Sequence, residues 1–391
     1  MFTRSLDLTQ LVKRKSIFLF GPRQTGKSTL LRLQFKGIQT INLLKERVYS
    51  ELIAQPGLFY ERLAVLTDTL ILVDEIQRIP SLLNEVHLLI EENRLRFILT
   101  GSSARKLKQA GVNLLGGRAS QTLLHPVTFA EFQSNSGGRD PVDTLIRFGG
   151  LPFILNSEDP FDDMKGYVDS YLTQEIKEEA QVRSLGSFSK FLHICALQTG
   201  EQINITNMAS DAGVSRPTMM EYFQILEDTF VGKQVRPFQT PIRKSVATPK
   251  FYLFDVGVAN FLAQRFGPSM GSMDYGKALE HLVWRELESY ISYRRIEATV
   301  SYWRTQTKIE VDFIIVRDDK IPELAIEVKA KKSVPHRDMN ALELFSQEFK
   351  EVRQIVVTLE AERRIHNRIE LWPVRDFFTA LWDDSILIKN E

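Results

Sequence analysis

Short apolar runs alternate with helix-spaced apolar positions over the first 124 residues. SIFLF (16–20), TINLL (40–44), TLILVD (69–74) and RFILTG (96–101) read as strands. SLLNEVHLLIEENR (81–94) carries apolar residues at 82, 83, 86, 89 and 90, the stripe of an amphipathic helix. Strands alternating with helices predict parallel βαβ units. NSGGRDP (135–141) reads as an exposed turn. Beyond it the pattern is helical to about Ile225, with a break near SLGSFS (184–189), and an αβ pattern returns from about Lys250.

Composition narrows the class. A chain of 391 residues with 43% hydrophobic and 25% charged residues can bury more than one core. A net charge of +1 gives no overall field toward nucleic acid, so any such binding has to come from local patches. The single cysteine, Cys195 in FLHICAL, forms no internal disulfide and reads as a small core residue, which suits a reducing cytosol. No apolar run reaches the roughly 18–20 residues of a membrane span. The N-terminal apolar stretch abuts a phosphate-binding signature and reads as a first strand rather than a signal peptide. The expectation is a soluble, cytoplasmic protein with no membrane partner.

That signature is GPRQTGKST (21–29), with the spacing G-x-x-x-x-G-K-S after a strand and before a helix. Gly21 and Gly26 let the loop curl so that backbone N–H groups point at phosphate oxygens, and the helix N-terminus adds partial positive charge. The expected nucleotide-binding set is Gly21, Pro22, Arg23, Gln24, Thr25, Gly26, Lys27, Ser28 and Thr29. Lys27 would neutralise the β/γ-phosphates and Ser28 would ligate Mg²⁺. TLILVDEIQ ends a strand in Asp74, placed to hold Mg²⁺, and Glu75, placed to polarise the attacking water. ATP or GTP is therefore the expected ligand, with Mg²⁺. Thr100, at the tip of another strand, is placed to contact the γ-phosphate or lytic water. Arg105 and Arg118 are the arginines available for transition-state charge, in cis or in trans, though each is equally readable as an ordinary surface arginine.

FGPRQTGKSTLL, LILVDEIQRIP, FILTGSSARKL, LLGGRASQTLLHPVTFAEF and RFGGLP, in that order, resemble a family of bacterial and archaeal AAA-like ATPases whose nucleotide-binding domain precedes a domain of uncharacterised function. The resemblance covers about residues 1–335. It implies that Thr100 is the sensor residue and that Arg118 lies in a recurring glycine-arginine motif.

ITNMASDAGVSRPTMMEYFQILEDTFVGKQVRPF (205–238) has helix–turn–helix grammar: Gly213 at the turn, Ser215 as N-cap, and Pro217 in the first turn. VGKQVRPF would add a wing strand. DNA contact would use Arg216, Thr218, Lys233, Arg236, Arg243 and Lys244. Glu221, Glu227 and Asp228 make the second helix acidic, which argues the other way.

KIEVDFIIVRDDKIPELAIEVKAKK (308–332) splits into two strands. Alternation puts Glu310 and Asp312 on one face with Glu327 and Lys329, and Ile309, Val311, Phe313 and Ile315 on the other. Ile314 and Val316 share the acidic face, so it is expected to be partly covered. Glu280, on the helix predicted over 275–291, leans toward the same face. The arrangement Glu280 … Glu310-x-Asp312 … Glu327-x-Lys329 resembles PD-(D/E)XK nucleases, with valine rather than proline before Asp312. It implies metal ligands Glu280, Glu310, Asp312 and Glu327, with Asp312, Glu327 and Lys329 catalytic. A polar sheet face is the plainer alternative. WRTQTK (303–308) and VKAKKSVPHR (328–337) would flank it with basic charge and Trp303.

The expected fold class is α/β in three parts. An AAA-like P-loop ATPase domain spans 1–185, with a helical lid from about 125. A winged-helix-like middle spans 186–249, and a PD-(D/E)XK nuclease-like domain spans 250–391. The expected function is ATP-dependent action on nucleic acid, DNA foremost; a homo-oligomer is what Arg105 or Arg118 would require to act in trans, and the sequence leaves the oligomeric state open. The competing expectation is an ATP-driven switch whose inactive nuclease-like domain binds a protein partner or DNA.

Overall fold

The structure, a computed structural model, describes residues 2–109, 115–175, 184–239, 248–317 and 321–387. Five short strands build the N-terminal sheet: β1 (Ser16–Phe20), β2 (Gln39–Asn42), β3 (Leu70–Asp74), β4 (Arg96–Gly101) and β5 (Ala119–Leu123). All pair in parallel, in the order β2-β3-β4-β1-β5. Strand β4 thus lies between the strand that leads into the phosphate loop and the strand that ends in Asp74. β1 is buried along its whole length, as a central parallel strand covered on both faces must be. The Leu82–Asn93 helix buries Leu82, Leu83, Val86 and Leu89 against the sheet, the stripe expected from its spacing.

The middle region forms helices Ile205–Ala212 and Arg216–Asp228, joined through Gly213 in left-handed conformation (φ 69°). Ser215 caps the second helix by accepting the Thr218 N–H. Strand β6 (Gly232–Val235) follows and pairs antiparallel with β7 (Lys250–Leu253). The expected boundary at residue 249 therefore cuts one small sheet in two. The Val256–Leu262 helix also packs into the middle core, beside Phe223 and Leu226. Cys195 is buried in this same core.

The C-terminal sheet has strands β8 (Ala298–Arg304), β9 (Glu310–Arg317), β10 (Ile321–Lys329), β11 (Arg353–Thr358), β12 (Arg364–His366) and β13 (Ile369–Pro373), ordered β12-β13-β11-β10-β9-β8. One face packs on the long Met273–Arg294 helix and the Val374–Trp382 helix. The other face is covered by Leu342 and Phe345 of the Asn340–Ser346 helix. The segment expected as an ATPase lid packs elsewhere. Phe129, Phe132, Val142, Leu145 and Ile146 join the C-terminal core, and Leu151, Ile154, Met164 and Tyr167 join the middle one. Their apolar stripes find their partners outside the nucleotide-binding sheet.

Candidate functional site

The phosphate loop turns sharply at the end of β1. Gly21 has φ 151°, and a Cβ there would stand 2.6 Å from the Leu124 carbonyl oxygen, so any larger residue collides with the end of β5. Gly26 (φ 97°) closes the loop and leads into the Lys27–Gln34 helix. Lys27 Nζ donates to the carbonyls of Gly21 (2.7 Å) and Pro22 (3.0 Å). Burial lowers its pKa to about 8 against the pull of Glu75 and Asp74. Thr25 Oγ1 bonds Pro22 O at 2.9 Å and stiffens the turn. Outside the loop, Arg4 donates to Thr25 O (2.7 Å) and pairs with Glu131 (3.0 Å), and Tyr171 OH accepts the Arg23 N–H at 3.3 Å. The sequence does not single out Arg4; an arginine seventeen residues before Gly21 carries no local signal.

Asp74 and Ser28 line one cleft of about 320 Å³. Asp74 Oδ1 accepts from Thr100 Oγ1 (2.5 Å) and Oδ2 from Asn42 Nδ2 (3.2 Å). Burial raises its pKa, opposed by the Thr100 hydrogen bond. Glu75 adopts left-handed backbone (φ 62°), donates its N–H to Thr100 Oγ1 at 3.1 Å, and has its carboxylate held by Gln77 Nε2 and by Ser102 Oγ at 3.3 Å. Thr100 therefore touches both acidic residues, which β4 makes possible by lying beside β3. Gln77 is a further member the sequence reading passed over.

The two arginines part company. Arg118 precedes β5, whose first residue pairs with Ser16, so it stands at the edge of the sheet opposite the phosphate loop. The separation is roughly 20 Å at about 3.3 Å per residue. It pairs there with Glu91, and its expected role on this chain's own nucleotide is corrected. Arg105 is buried and reaches Glu221 (3.1 Å) and Asp228 (3.7 Å) on the second helix of the helix–turn–helix. Lys108 adds a 2.7 Å bond to Asp228, and Ala104 donates its N–H to Asp228 O at 2.9 Å. Two of that helix's three acids, Glu221 and Asp228, are thus engaged by the short Arg105–Gln109 helix, while Glu227 accepts from Gln234. Of the expected DNA-facing residues, Arg216 and Arg236 are exposed and Lys233 pairs with Glu288 at 2.6 Å. Arg243 and Lys244 lie outside the described residues.

The second candidate site sits where β9 and β10 part. Their ladder ends at Phe313↔Ile326, and the Val328 N–H is taken instead by Asp312 Oδ2 at 2.8 Å. On the other side of β9, Tyr302 alone opposes both Asp312 and Phe313, a β-bulge. The bulge breaks the expected alternation. Val311 packs with Ile314 and Val316 beneath the Asn340–Ser346 helix, whereas Phe313 and Ile315 face the long helix. Trp303, expected on a binding flank, is fully buried against Phe345 for the same reason.

The four carboxylates come together but in company. Glu327 pairs with Lys329, and Glu310 with Arg304 at 2.7 Å. Lys250, buried on β7, reaches Glu310 at 2.6 Å and Glu280 at 3.3 Å, and Tyr252 OH donates to Glu280 at 2.6 Å. Burial, then mutual repulsion with Glu327, raises the Asp312 pKa well above the usual range. Burial pushes Glu327 up to about 7 against the pull of Lys329. Burial works against the Lys329 ammonium, but Glu327 and Asp312 outweigh it and its pKa is raised. Among the described residues no group of three or more His, Cys, Asp or Glu side chains is arranged to hold a metal ion. One buried oxygen, Glu327 Oε2, has no hydrogen-bond partner. Asp255 is structural: it caps the Val256–Leu262 helix and accepts the Gly150 N–H at 2.6 Å.

Residues 13–133, which hold the loop, Asp74, Glu75 and Thr100, match the model of an AAA domain family. The chain carries a P-loop AAA-like ATPase domain. Residues 139–269 and 275–377 match two domains of unknown function (DUF8612 and DUF4143). The chain is similar to uncharacterised proteins of Mycobacterium tuberculosis and Mycobacterium bovis, each 27% identical over 313 residues, covering 76% of this chain and 67% of theirs. An uncharacterised protein of Haemophilus influenzae is 25% identical over 328 residues, covering 73% of this chain and 78% of its own. Among solved structures, the Aeropyrum pernix ORC1 protein in complex with DNA overlays at a TM-score of 0.29 and 13% identity, over 64% of this chain and 86% of that one. A Pyrococcus horikoshii signal transduction ATPase with a tetratricopeptide repeat sensor overlays at 0.28 and 13%, over 75% and 47%. Overlays this loose bear on neither fold detail nor function. Among the described residues no helix is long and apolar enough to cross a membrane.

Proposed function

We propose that this protein hydrolyses ATP to act on nucleic acid, with the helix–turn–helix as a winged-helix-like reader of the nucleotide state and the C-terminal domain as a PD-(D/E)XK-like nuclease. The seam that supports the coupling is Arg105 against Glu221 and Asp228, five residues beyond Thr100. In this reading Lys27 holds the β/γ-phosphates, Glu75 orients the attacking water, and Thr100 aligns Asp74 and Glu75 with one another. Ser28 and Asp74, sharing one cleft, would hold Mg²⁺, which when bound offsets phosphate charge. A shift of Thr100 at hydrolysis reaches the second helix through the Arg105 seam. That helix presents Arg216 and Thr218 to DNA. Arg118, remote from its own nucleotide, serves a neighbouring copy if the chain forms a homo-oligomer.

At the strand fork, Asp312 and Glu327 would hold a divalent ion; the partnerless Glu327 Oε2 supports that fit. Such an ion, when bound, supplies Lewis acidity for phosphodiester hydrolysis. Lys329 balances the charge of the two acids and faces the approaching phosphate. Cleavage of single- and double-stranded DNA and RNA, with Mn²⁺ or Mg²⁺ and with or without ATP, tests this reading. Cleavage lost in Asp312→Asn is the expected result; cleavage unchanged in that variant removes the nuclease.

A second reading rests on Lys250, Arg304 and Lys329, which balance the carboxylates internally. There the C-terminal domain is a non-cleaving module that binds DNA or a protein partner under ATP control. No cleavage by the native protein, with ATP hydrolysis abolished by Lys27→Ala, favours it.

A further inference from the structure

We propose that Lys250 is the built-in cation of the C-terminal acidic cluster, its ammonium standing between Glu280 and Glu310 where a divalent ion would otherwise sit. Nζ lies 2.6 Å from Glu310 Oε1 and 3.3 Å from Glu280 Oε1. The side chain is only 3% exposed and lies over the Tyr302 ring, 5.3 Å from its centre. Two further donors reach the same two carboxylates. Tyr252 OH donates to Glu280 Oε1 (2.6 Å), and Arg304 takes Glu310 Oε2 (2.7 Å). A divalent ion placed between these two glutamates would press against a buried ammonium, at a separation where like charges in a poorly solvated site repel strongly. The cluster is therefore divided. Glu280 and Glu310 are closed by Lys250, whereas Asp312 and Glu327, the latter paired with Lys329 through one oxygen, keep Glu327 Oε2 without a partner and are the more open half.

The lysine does not come from the domain it neutralises. It opens β7, pairs across to Val235 of β6, and bridges to Gln202 just before the helix–turn–helix. The middle region thus supplies the charge that closes the C-terminal acids, which makes Lys250 a positioning residue between the two. The inference deepens the metal reading above but does not depend on the protein cleaving anything.

The test is a count of Mn²⁺ ions bound by the full chain without nucleotide, read by electron paramagnetic resonance. It compares the native protein, Lys250→Met, and the triple variant Lys250→Met/Glu280→Gln/Glu310→Gln, with thermal melts for each. The expected result is one ion more in Lys250→Met than in the native protein, and that extra ion absent from the triple variant. Equal counts in native protein and folded Lys250→Met would overturn the inference, as would an extra ion that survives in the triple variant. If Lys250→Met is unstable, Mn²⁺ should raise its melting temperature more than it raises that of the native or triple protein; an equal rise overturns the inference. Asp312→Asn reads the other half separately: loss of a native ion there speaks for the metal reading, whereas the inference stands or falls on the ion gained at Lys250.

Discussion

The nucleotide cleft and the C-terminal fork both gather carboxylates, and they treat them in opposite ways. In the cleft, Asp74 and Glu75 are held by neutral groups: the Thr100 and Ser102 hydroxyls and the Asn42 and Gln77 amides. Orientation is fixed while the negative charge is left for an outside cation. At the fork, Lys250, Arg304 and Lys329 meet the carboxylates of Glu280, Glu310 and Glu327. There the charge is largely consumed within the fold. Counting acids does not identify a metal site; the charge of their partners does.

The comparison breaks most directly at Lys27. Lys27→Ala should lower ATP hydrolysis at least about 100-fold, as loss of a charge-stabilising donor does. It should leave the melting temperature near the native value, because Lys27 bonds only loop carbonyls. Lys329→Met should show the reverse. Removing one partner of a largely buried pair costs about 3 kcal/mol, with hydrolysis nearly unchanged, as chemical denaturation beside a phosphate-release assay would show. Equal effects of both substitutions on both readouts would erase the distinction between the sites. Thr100→Val removes a neutral partner of Asp74 and should cost hydrolysis about tenfold, the value of one hydrogen bond of about 1.4 kcal/mol, with a small loss of stability.

The smallest effect belongs to neither site. Burial holds both His125 and His281 near a pKa of about 3, and His281 Nε2 bonds the Leu253 carbonyl at 2.6 Å. Their folded pKa values lie below the ordinary 6.5, so the unfolded chain binds protons more readily. Their contribution is complete above about 6.5 and is lost as pH falls toward 3. Melting temperature should decline across that window, and His281→Gln should flatten the decline without touching hydrolysis at neutral pH.

What could be read from the sequence follows how local each feature is. The phosphate loop, Asp74, Glu75 and Thr100 are set by spacing within single βαβ units, and the chain of hydrogen bonds between them needs only β4 beside β3. The helix–turn–helix was legible for the same reason: Gly213 and Ser215 mark their own positions. Lys250 was not. Its role depends on Glu280 and Glu310, thirty and sixty residues away, meeting behind a sheet that the expected boundary divided. Trp303 was misread because a strict two-residue period cannot foresee that Tyr302 faces two residues of β9. The acidic second helix looked like an argument against DNA until Arg105 and Lys108 accounted for two of its charges. Arg118 shows the limit of motif position, since adjacency in sequence to a glycine turn does not say which edge of a parallel sheet the turn occupies.

The pairing of the middle region with β8 has one further consequence. β8 is the last strand of its sheet, yet the Phe238 N–H donates to Tyr302 O (2.6 Å) and the Tyr302 N–H to Arg236 O (3.3 Å). Uncovered strand edges recruit other strands and seed aggregates. A middle region that swung away from this edge would release a sticky margin in mid-cycle. Solubility during turnover thus favours motion in which β6 and β8 travel together and the break falls elsewhere in the chain.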